Sequence, residues 1–359
     1  MSAEPLVSSA PSYGVGGRVG VRDGAEPLLA VRDLRKYFPV RKQAFGGPKL
    51  RVQAVDGVSF NIAQGETLGI VGESGCGKST TARLLMHLID PDAGEIRFGG
   101  RALGAGGLSV RELRRQMQMV FQDSYASLNP RLAVQDSIAF GPMAHGVGED
   151  QARAKARELL ALVNLDPDQF GRRYPHELSG GQRQRVNVAR ALALEPRLVI
   201  LDEAVSALDK SIEAQVLNLL MDLKHNLQLT YLFISHDLSV VQYVSDQVLV
   251  MYLGKVVELG PVDDVYHRPR HPYTQALLAS RPSMNPDVRL ERPPLAGDPP
   301  NPINPPSGCR FRTRCTHAEG VCERVEPVLT AQDTGPGHSA ACHMAIPGSG
   351  HSKASCTPP

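Results

Sequence analysis

One short motif limits what this chain can fold into. Residues 72–79 read GESGCGKS and fit the pattern G-x-x-x-x-G-K-[ST], between the apolar run LGIV and the helical pattern TARLLMHL. A strand, a glycine-rich turn and a helix in this order form a phosphate-binding loop, because the turn points N–H groups at one anion and the helix adds its positive end. Further apolar runs at 198–201 and 231–235 look like buried strands. Together they predict an α/β fold around a mainly parallel sheet.

The residue types in this loop suit a nucleoside triphosphate with Mg²⁺. Glycines let the backbone turn tightly around the phosphates. Lys78 has the reach for the β- and γ-phosphates, and the Ser79 hydroxyl is a ligand for Mg²⁺. Cys76 is interpreted as a small filler residue. The predicted nucleotide-binding set in this segment is Gly72, Ser74, Gly75, Cys76, Gly77, Lys78, Ser79 and Thr80.

An acidic pair, Asp202 and Glu203, ends the apolar run 198–201. A carboxylate at the end of a buried strand beside a phosphate loop holds Mg²⁺ directly or through water. The adjacent Glu203 is a candidate general base that polarises an attacking water. A solvated acidic turn is the alternative for such a pair, and the phosphate loop is what favours the catalytic interpretation.

Composition divides the chain into unlike parts. The 359 residues carry a net charge of +2, which argues against a dedicated nucleic-acid binder. Residues 1–27, rich in Gly, Ser, Ala and Pro, are predicted to be a flexible leader, and 28–280 to be one nucleotide-binding body. A Pro- and Cys-rich extension at 281–345 and a disordered tail at 346–359 are expected to follow.

Local patterns add detail inside the body. The run 52–70 carries turn signals at Asp56-Gly57 and Gln64-Gly65, so antiparallel strands are expected there. Helical periodicity is present at 150–165 and 211–228.

The sequence LSGGQ at 178–182 predicts a second anion-binding helix start. Ser179 suits the N-cap of the helix that follows, and Gly180 and Gly181 let a phosphate approach the backbone. Placed 20 residues before the acidic pair, LSGGQ resembles the signature sequence of the ABC ATPase family.

Other positions match that family in order. Phe38 resembles the aromatic residue that stacks on adenine, with the adjacent Tyr37 as the alternative. Gln122 in VFQD resembles the glutamine that senses Mg²⁺ and the transmembrane partner. The run SALD, ending at Asp209, resembles the loop that crosses the dimer interface, and His236 in FISHD resembles the histidine that contacts the γ-phosphate.

The resemblance implies a fold and a reaction. The fold is α/β, a P-loop NTPase cassette of the ABC type with a mainly parallel core sheet, an antiparallel β subdomain and a helical subdomain at about 123–190. In this family two cassettes pack head to tail and hydrolyse ATP. Ala204 departs from the family pattern, because many members have proline after the catalytic glutamate.

The resemblance also assigns roles. Glu203, His236 and Gln122 are the implied catalytic residues, and Ser79, Gln122 and Asp202 the implied Mg²⁺ ligands. The γ-phosphate bound by the partner cassette is implied to contact Ser179, Gly180, Gly181 and Gln182.

The end of the chain narrows the resemblance. HPYT-x-x-L from 271 and NPPSGC-x-F-x-x-RC from 304 are similar to the ATP-binding subunits of oligopeptide and dipeptide ABC importers, a group that includes nickel importers. The extended start, with a loop between Phe38 and Val52, is more like their oligopeptide "F" type.

Four cysteines in the extension have three interpretations. Cys309, Cys315, Cys322 and Cys342 are expected to ligate a [4Fe–4S] cluster, as the resemblance implies, with structural zinc and a metal-free segment as alternatives. Disulfides are disfavoured because an ABC ATPase works in the reducing cytosol. Cys356 is predicted not to be a ligand.

The expected protein is therefore an ATP-hydrolysing motor for peptide uptake, peripheral on the cytoplasmic face of the inner membrane. Its implied partners are a paralogous ABC ATPase subunit, two transmembrane permease subunits and an extracytoplasmic solute-binding protein. The alternatives are a motor for another solute such as nickel, and a soluble ABC ATPase of DNA repair or translation. The latter proteins usually carry two cassettes in one chain, long coiled coils or a basic face.

Overall fold

A computed structural model describes residues 26–40, 50–104, 106–281, 297–331 and 337–354. The predicted flexible leader lies outside these ranges up to residue 25, and so do residues 282–296 of the extension and 355–359 of the tail.

The described residues form a layered α/β structure. The strands are β1 (Leu29–Pro39), β2 (Arg51–Ile62), β3 (Thr67–Val71), β4 (Ala93–Phe98), β5 (Arg101–Ala102), β6 (Met117–Val120), β7 (Leu198–Asp202), β8 (Thr230–Ile234), β9 (Gln247–Tyr252), β10 (Lys255–Pro261), β11 (Thr330–Ala331) and β12 (Ser339–Ala340). The α-helices are α1 (Lys78–Leu85), α2 (Val110–Gln116), α3 (Val134–Ala144), α4 (Glu149–Leu162), α5 (Pro167–Phe170), α6 (Gly180–Leu192), α7 (Lys210–Leu227), α8 (Leu238–Val244), α9 (Val262–His267), α10 (Pro272–Ala279) and α11 (Gly320–Arg324). Short 3₁₀ turns span Pro175–Glu177 and His343–Ala345.

The main sheet has eight strands in the order β11-β12-β10-β9-β3-β8-β7-β6. The five strands from β9 to β6 are parallel, and the pairs from β9 to β11 are antiparallel. Every residue of β3, β7 and β8 is buried. Strands that are covered on both faces need a continuous apolar sequence. For this reason the apolar runs of β3, β7 and β8 could be predicted as buried strands.

A second, antiparallel sheet has the order β2-β1-β4-β5. Gln64-Gly65 is a turn as expected, but the turn expected at Asp56-Gly57 is wrong, because β2 runs straight through it. The register between β1 and β2 shifts at that point, and Gly57 has φ +77°. Gly57 is therefore the extra residue of a β-bulge. The end of the run 52–70 also differs from expectation, since β3 pairs in parallel with β8 and β9.

The two expected helices are present. Residues 150–165 correspond to α4, which buries Ala156, Leu159 and Leu160, and residues 211–228 correspond to α7. Helix α4 packs against α3 and α6. Over the described ranges, no helix is both long enough and apolar enough to cross a bilayer.

The extension continues the main sheet. Its strand β12 pairs with β10, and β11 pairs with β12. Phe311 is buried and packs on Tyr252 and Tyr273, with ring centroids 5.3 and 5.4 Å away. This segment therefore shares the core of the nucleotide-binding body.

The predicted disorder after 346 differs from the structure up to residue 354. His351 is only 5% exposed, and its Nε2 lies 2.9 Å from the carbonyl of His317. A buried histidine with a distant partner fixes this stretch, which its polar composition alone did not reveal.

His271 supplies a pH-dependent contribution to stability. It is 1% exposed and caps α10, since its Nδ1 accepts a hydrogen bond of 3.0 Å from the Tyr273 N–H. Burial lowers the pKa of His271 to about 4, despite the nearby Glu258 carboxylate, which acts in the opposite direction. Between an unfolded pKa of about 6.5 and this folded value, the unfolded chain binds a proton that the folded chain does not.

We therefore expect the free energy of unfolding to fall as pH is lowered from about 6.5 toward 4, by up to about 3 kcal/mol from this group. Urea unfolding across this pH range, for the wild type and His271→Asn, measures it. Asn keeps a capping oxygen, so the variant should fold and show a shallower pH slope. Equal slopes would exclude His271 as the cause.

Candidate functional site

The phosphate loop is shaped by the backbone around it. Gly77 has φ +110°, and a Cβ atom there would lie 2.2 Å from the carbonyl oxygen of Ala54 on β2. Only glycine avoids both the strain and this contact. Ser74 and Gly75 are exposed on the loop, whereas Cys76 is buried, and burial raises the pKa of its thiol. Its burial is compatible with the interpretation of Cys76 as a small filler residue, which stays a prediction.

Lys78 opens α1 and turns back into the loop. Its Nζ donates to the carbonyls of Gly72, at 2.7 Å, and Glu73, at 3.1 Å, and the residue is 5% exposed. The loop thus holds a buried ammonium group between two of its own carbonyls. Thr80 lies half-buried on the same helix.

Ser79 and Asp202 come together although 123 residues separate them. The Ser79 hydroxyl donates to Asp202 Oδ1 over 2.8 Å. Burial raises the pKa of Asp202, the Ser79 hydrogen bond opposes this, and the neighbouring charge of Glu203 adds to it. A hydroxyl and a carboxylate oxygen at this separation are the donors that Mg²⁺ prefers.

Glu203 is the centre of the predicted catalytic group. Its Oε2 accepts a hydrogen bond of 2.7 Å from Gln122 Nε2, and His236 Nδ1 lies 3.6 Å from the same oxygen. The backbone of Glu203 has φ +48°, and its N–H donates to the carbonyl of Ile234 over 2.9 Å. A non-glycine residue held in this region costs about 1–3 kcal/mol, and such strain clusters at functional sites.

The two aromatic candidates for adenine stacking are in different situations. The Tyr37 hydroxyl donates to Asp56 Oδ1 over 2.5 Å, and the Tyr37 N–H donates to Asp92. Phe38 is 37% exposed, with Lys36 Nζ 5.7 Å from its ring centroid. The exposure of Phe38 and the hydrogen-bonded hydroxyl of Tyr37 favour Phe38, which stays a prediction.

The signature sequence starts α6 with a reciprocal cap. Ser179 Oγ accepts from the Gln182 N–H over 3.3 Å, and Gln182 Oε1 accepts from the Ser179 N–H over 2.9 Å. This capping box was missed from the sequence, although the S-x-x-Q spacing indicates it. Gly181 is needed for packing, because a Cβ there would lie 2.5 Å from Ile212 Cγ2 on α7.

Asp209 is exposed at the N-terminus of α7. In the same loop, the Ser206 hydroxyl donates to the Glu203 carbonyl over 2.9 Å. The predicted interface loop is therefore tied to the backbone of the candidate general base.

The four predicted cysteine ligands line one cavity, which also contains the buried His271 and His343. Burial raises the pKa of Cys309 to about 12 and that of Cys342 to about 11. Over the part of the chain that the structure describes, no three or more His, Cys, Asp or Glu residues are arranged to hold a metal ion. The expected metal therefore stays a prediction.

Two family models match the chain. Residues 55–206 match the ABC transporter family, and residues 257–322 match the oligopeptide/dipeptide transporter C-terminal region. The dipeptide transport ATP-binding protein DppF of Escherichia coli is 50% identical over 319 residues, which is 88% of this chain and 94% of that protein. The oligopeptide transport ATP-binding protein AppF of Bacillus subtilis is 50% identical over 326 residues, which is 89% of this chain and 98% of that protein.

The chain belongs to the ATP-binding proteins of the oligopeptide/dipeptide ABC transporter family. The predicted family is therefore confirmed. A solved structure, cbiO1 from Clostridium perfringens, part of the ABC transporter complex cbiONQ, matches with a TM-score of 0.58 at 27% identity. The match covers 68% of this chain and 92% of that chain, and it confirms the predicted ABC cassette fold.

Two neighbouring glycines of the signature sequence should respond differently to alanine. A Cβ at Gly181 overlaps a stiff β-branched side chain, so Gly181→Ala should lower the free energy of unfolding by about 1–3 kcal/mol. At Gly180 the nearest atom, Leu208 Cδ2, is 3.6 Å away, so Gly180→Ala should be neutral or stabilising by up to about 1 kcal/mol. Urea unfolding without nucleotide measures both. Equal stability of the two variants would contradict the packing assigned to Gly181.

Proposed function

We propose that this chain is the ATP-hydrolysing motor subunit of an ABC importer that takes up peptides. The observation that carries the proposal is the meeting of Gln122 and His236 on one oxygen of Glu203, beside the Ser79–Asp202 pair. These side chains follow β6, β8 and β7, or begin α1, so rigid elements hold them.

The reaction follows from this arrangement. Lys78 and the loop N–H groups bind the β- and γ-phosphates of ATP, and Ser79 and Asp202 hold the Mg²⁺ that neutralises their charge. Glu203 accepts a proton from a water whose oxygen attacks the γ-phosphorus, while the bond to the β–γ bridging oxygen breaks. Gln122 and His236 orient the carboxylate and the γ-phosphate.

A second cassette completes the site. Ser179, Gly180, Gly181 and Gln182 contact the γ-phosphate of the nucleotide bound by a paralogous ATPase subunit, and Asp209 lies at that interface. The N-terminus of α6, where Ser179 is the N-cap, suits an anion, which supports contact with the γ-phosphate. ATP then holds two subunits together until hydrolysis separates them.

Peptide is the proposed solute because the relatives that match along most of their length are dipeptide and oligopeptide transport proteins. The motor works on the cytoplasmic face of the membrane with two permease subunits, and an extracytoplasmic solute-binding protein delivers the peptide.

Glu203→Gln should lower kcat for ATP hydrolysis about 100-fold or more, because the amide cannot accept the proton. Glu158→Gln is the matched control, since the Glu158 side chain is 71% exposed on the helical subdomain. Phosphate release by the purified variants, and uptake of labelled peptide by cells that carry each variant as the sole copy, measure the effect. Turnover of Glu203→Gln equal to that of the control would remove Glu203 from the general-base role.

The cavity lined by Cys309, Cys315, Cys322 and Cys342 is the proposed site of a [4Fe–4S] cluster, with zinc as the alternative. All four cysteines line this cavity, and a Cys₄ donor set suits either group once the side chains close on it. A bound group of this kind crosslinks a segment that is too short for a core of its own.

We expect protein purified without oxygen to contain iron and sulfide and to absorb visible light. Cys322→Ser should lose both iron and absorption, whereas Cys356→Ser should keep them. Stoichiometric zinc without iron would contradict the cluster and favour the zinc site. Absence of both metals would contradict both and favour a metal-free segment.

A further inference from the structure

The phosphate loop is held from outside by the extension. Glu73, the second residue of the loop, receives two hydrogen bonds from Arg314, Nη1 to Oε2 at 2.7 Å and Nη2 to Oε1 at 3.1 Å. Its N–H donates to the Tyr273 hydroxyl over 2.9 Å. Its carbonyl accepts from Lys78 Nζ, so any displacement of Glu73 also moves the phosphate-binding ammonium group.

The Glu73–Arg314 contact affects the charge of the phosphate loop. A carboxylate within a loop that binds a triphosphate repels the ligand unless a cation neutralises it. A two-bond pair with arginine both neutralises the carboxylate and fixes its direction. The Arg314 side chain is only 6% exposed and that of Glu73 24%, so water screens the pair weakly.

Arg314 is itself held rigidly. Its guanidinium lies 5.9 Å from the ring centroid of Tyr252 and also donates to that hydroxyl over 3.4 Å. Phe311, three residues earlier, packs on the rings of Tyr252 and Tyr273. An aromatic cluster of the main sheet therefore sets the position from which the arginine reaches the loop.

The same segment is anchored on the adenine side. Arg310, buried, donates to a carboxylate oxygen of Asp56 and, over 2.6 Å, to Gln53 Oε1. Asp56 also accepts from the hydroxyl of Tyr37, the neighbour of Phe38. Residues 310–314 thus contact both sides of the nucleotide site, and Cys309 and Cys315 flank them.

We infer that Arg314 is a positioning residue for nucleotide binding: it neutralises Glu73 and holds the phosphate loop in its binding shape. This inference rests on the proposed ATPase function. Its effect is on affinity, because Arg314 bonds the phosphate loop at Glu73, whereas Gln122 and His236 are the side chains that contact Glu203.

Arg314→Gln should raise the Kd of a fluorescent ATP analogue, with Mg²⁺, about tenfold or more. The KM for ATP should rise with it while kcat changes less than about twofold. Arg312→Gln is the matched control, because Arg312 lies in the same segment but bonds Ser307 and approaches Glu323 only at 4.0 Å. The control should bind the analogue as the wild type does.

A second substitution separates charge from general damage to the fold. Adding Glu73→Gln to Arg314→Gln should recover most of the lost affinity, because the unpaired carboxylate is then gone. Glu73→Gln alone is measured to close the cycle. If Arg314→Gln does not fold, Arg314→Lys, which keeps the charge without the paired geometry, should show an intermediate Kd.

An unchanged Kd in a folded Arg314 variant, or no recovery in the double variant, would overturn the inference. Failure of the wild type to bind or hydrolyse ATP would instead overturn the proposed function.

Discussion

The parallel pairing of β3, β8, β7 and β6 is the constraint on which the site depends. Pairing in register brings Ile70 opposite Ile234, Leu201 opposite Phe233 and Val120 opposite Leu201. The segments that follow each strand therefore leave the sheet at one edge and at one level. Four local sequences that are far apart in the chain become one site only because these ends align.

The alignment concentrates negative charge. Asp202 and Glu203 are adjacent, and both desolvation and this neighbour raise the pKa of Asp202. Lys78, which is bonded to loop carbonyls, and Arg83 are nearby cations that oppose this rise. A divalent cation beside Ser79 and Asp202 would relieve the acidic charge, and a triphosphate would compete for the lysine. Under the proposed function, metal and nucleotide would therefore stabilise each other's binding.

Much of this was predictable because the signals are local. A phosphate loop, an acidic strand end and a capped helix start each carry their geometry in fewer than ten residues, and the buried strands are continuous apolar runs. Gly57 shows where local signals mislead. The dipeptide Asp-Gly is found in turns and in β-bulges, and only the pairing of β1 with β2 shows that this one is a bulge. The Glu73–Arg314 pair spans 241 residues, and no single-sequence pattern reports such a contact.

The extension is the part that sequence reasoning separated too sharply from the body. Proline and cysteine content suggested an appended module, but β12 extends the main sheet and Phe311 enters its aromatic core. Arg314, three residues after Phe311, then bonds Glu73 and so connects this core to the phosphate loop. Cys309 and Cys315 line the cysteine cavity and are the chain neighbours of Arg310 and Arg314, which bond Asp56 and Glu73. The cysteine segment and the nucleotide site are therefore connected by direct side-chain contacts. A truncation before residue 309 would remove Arg314, which bonds Glu73, together with the four cysteines of the extension.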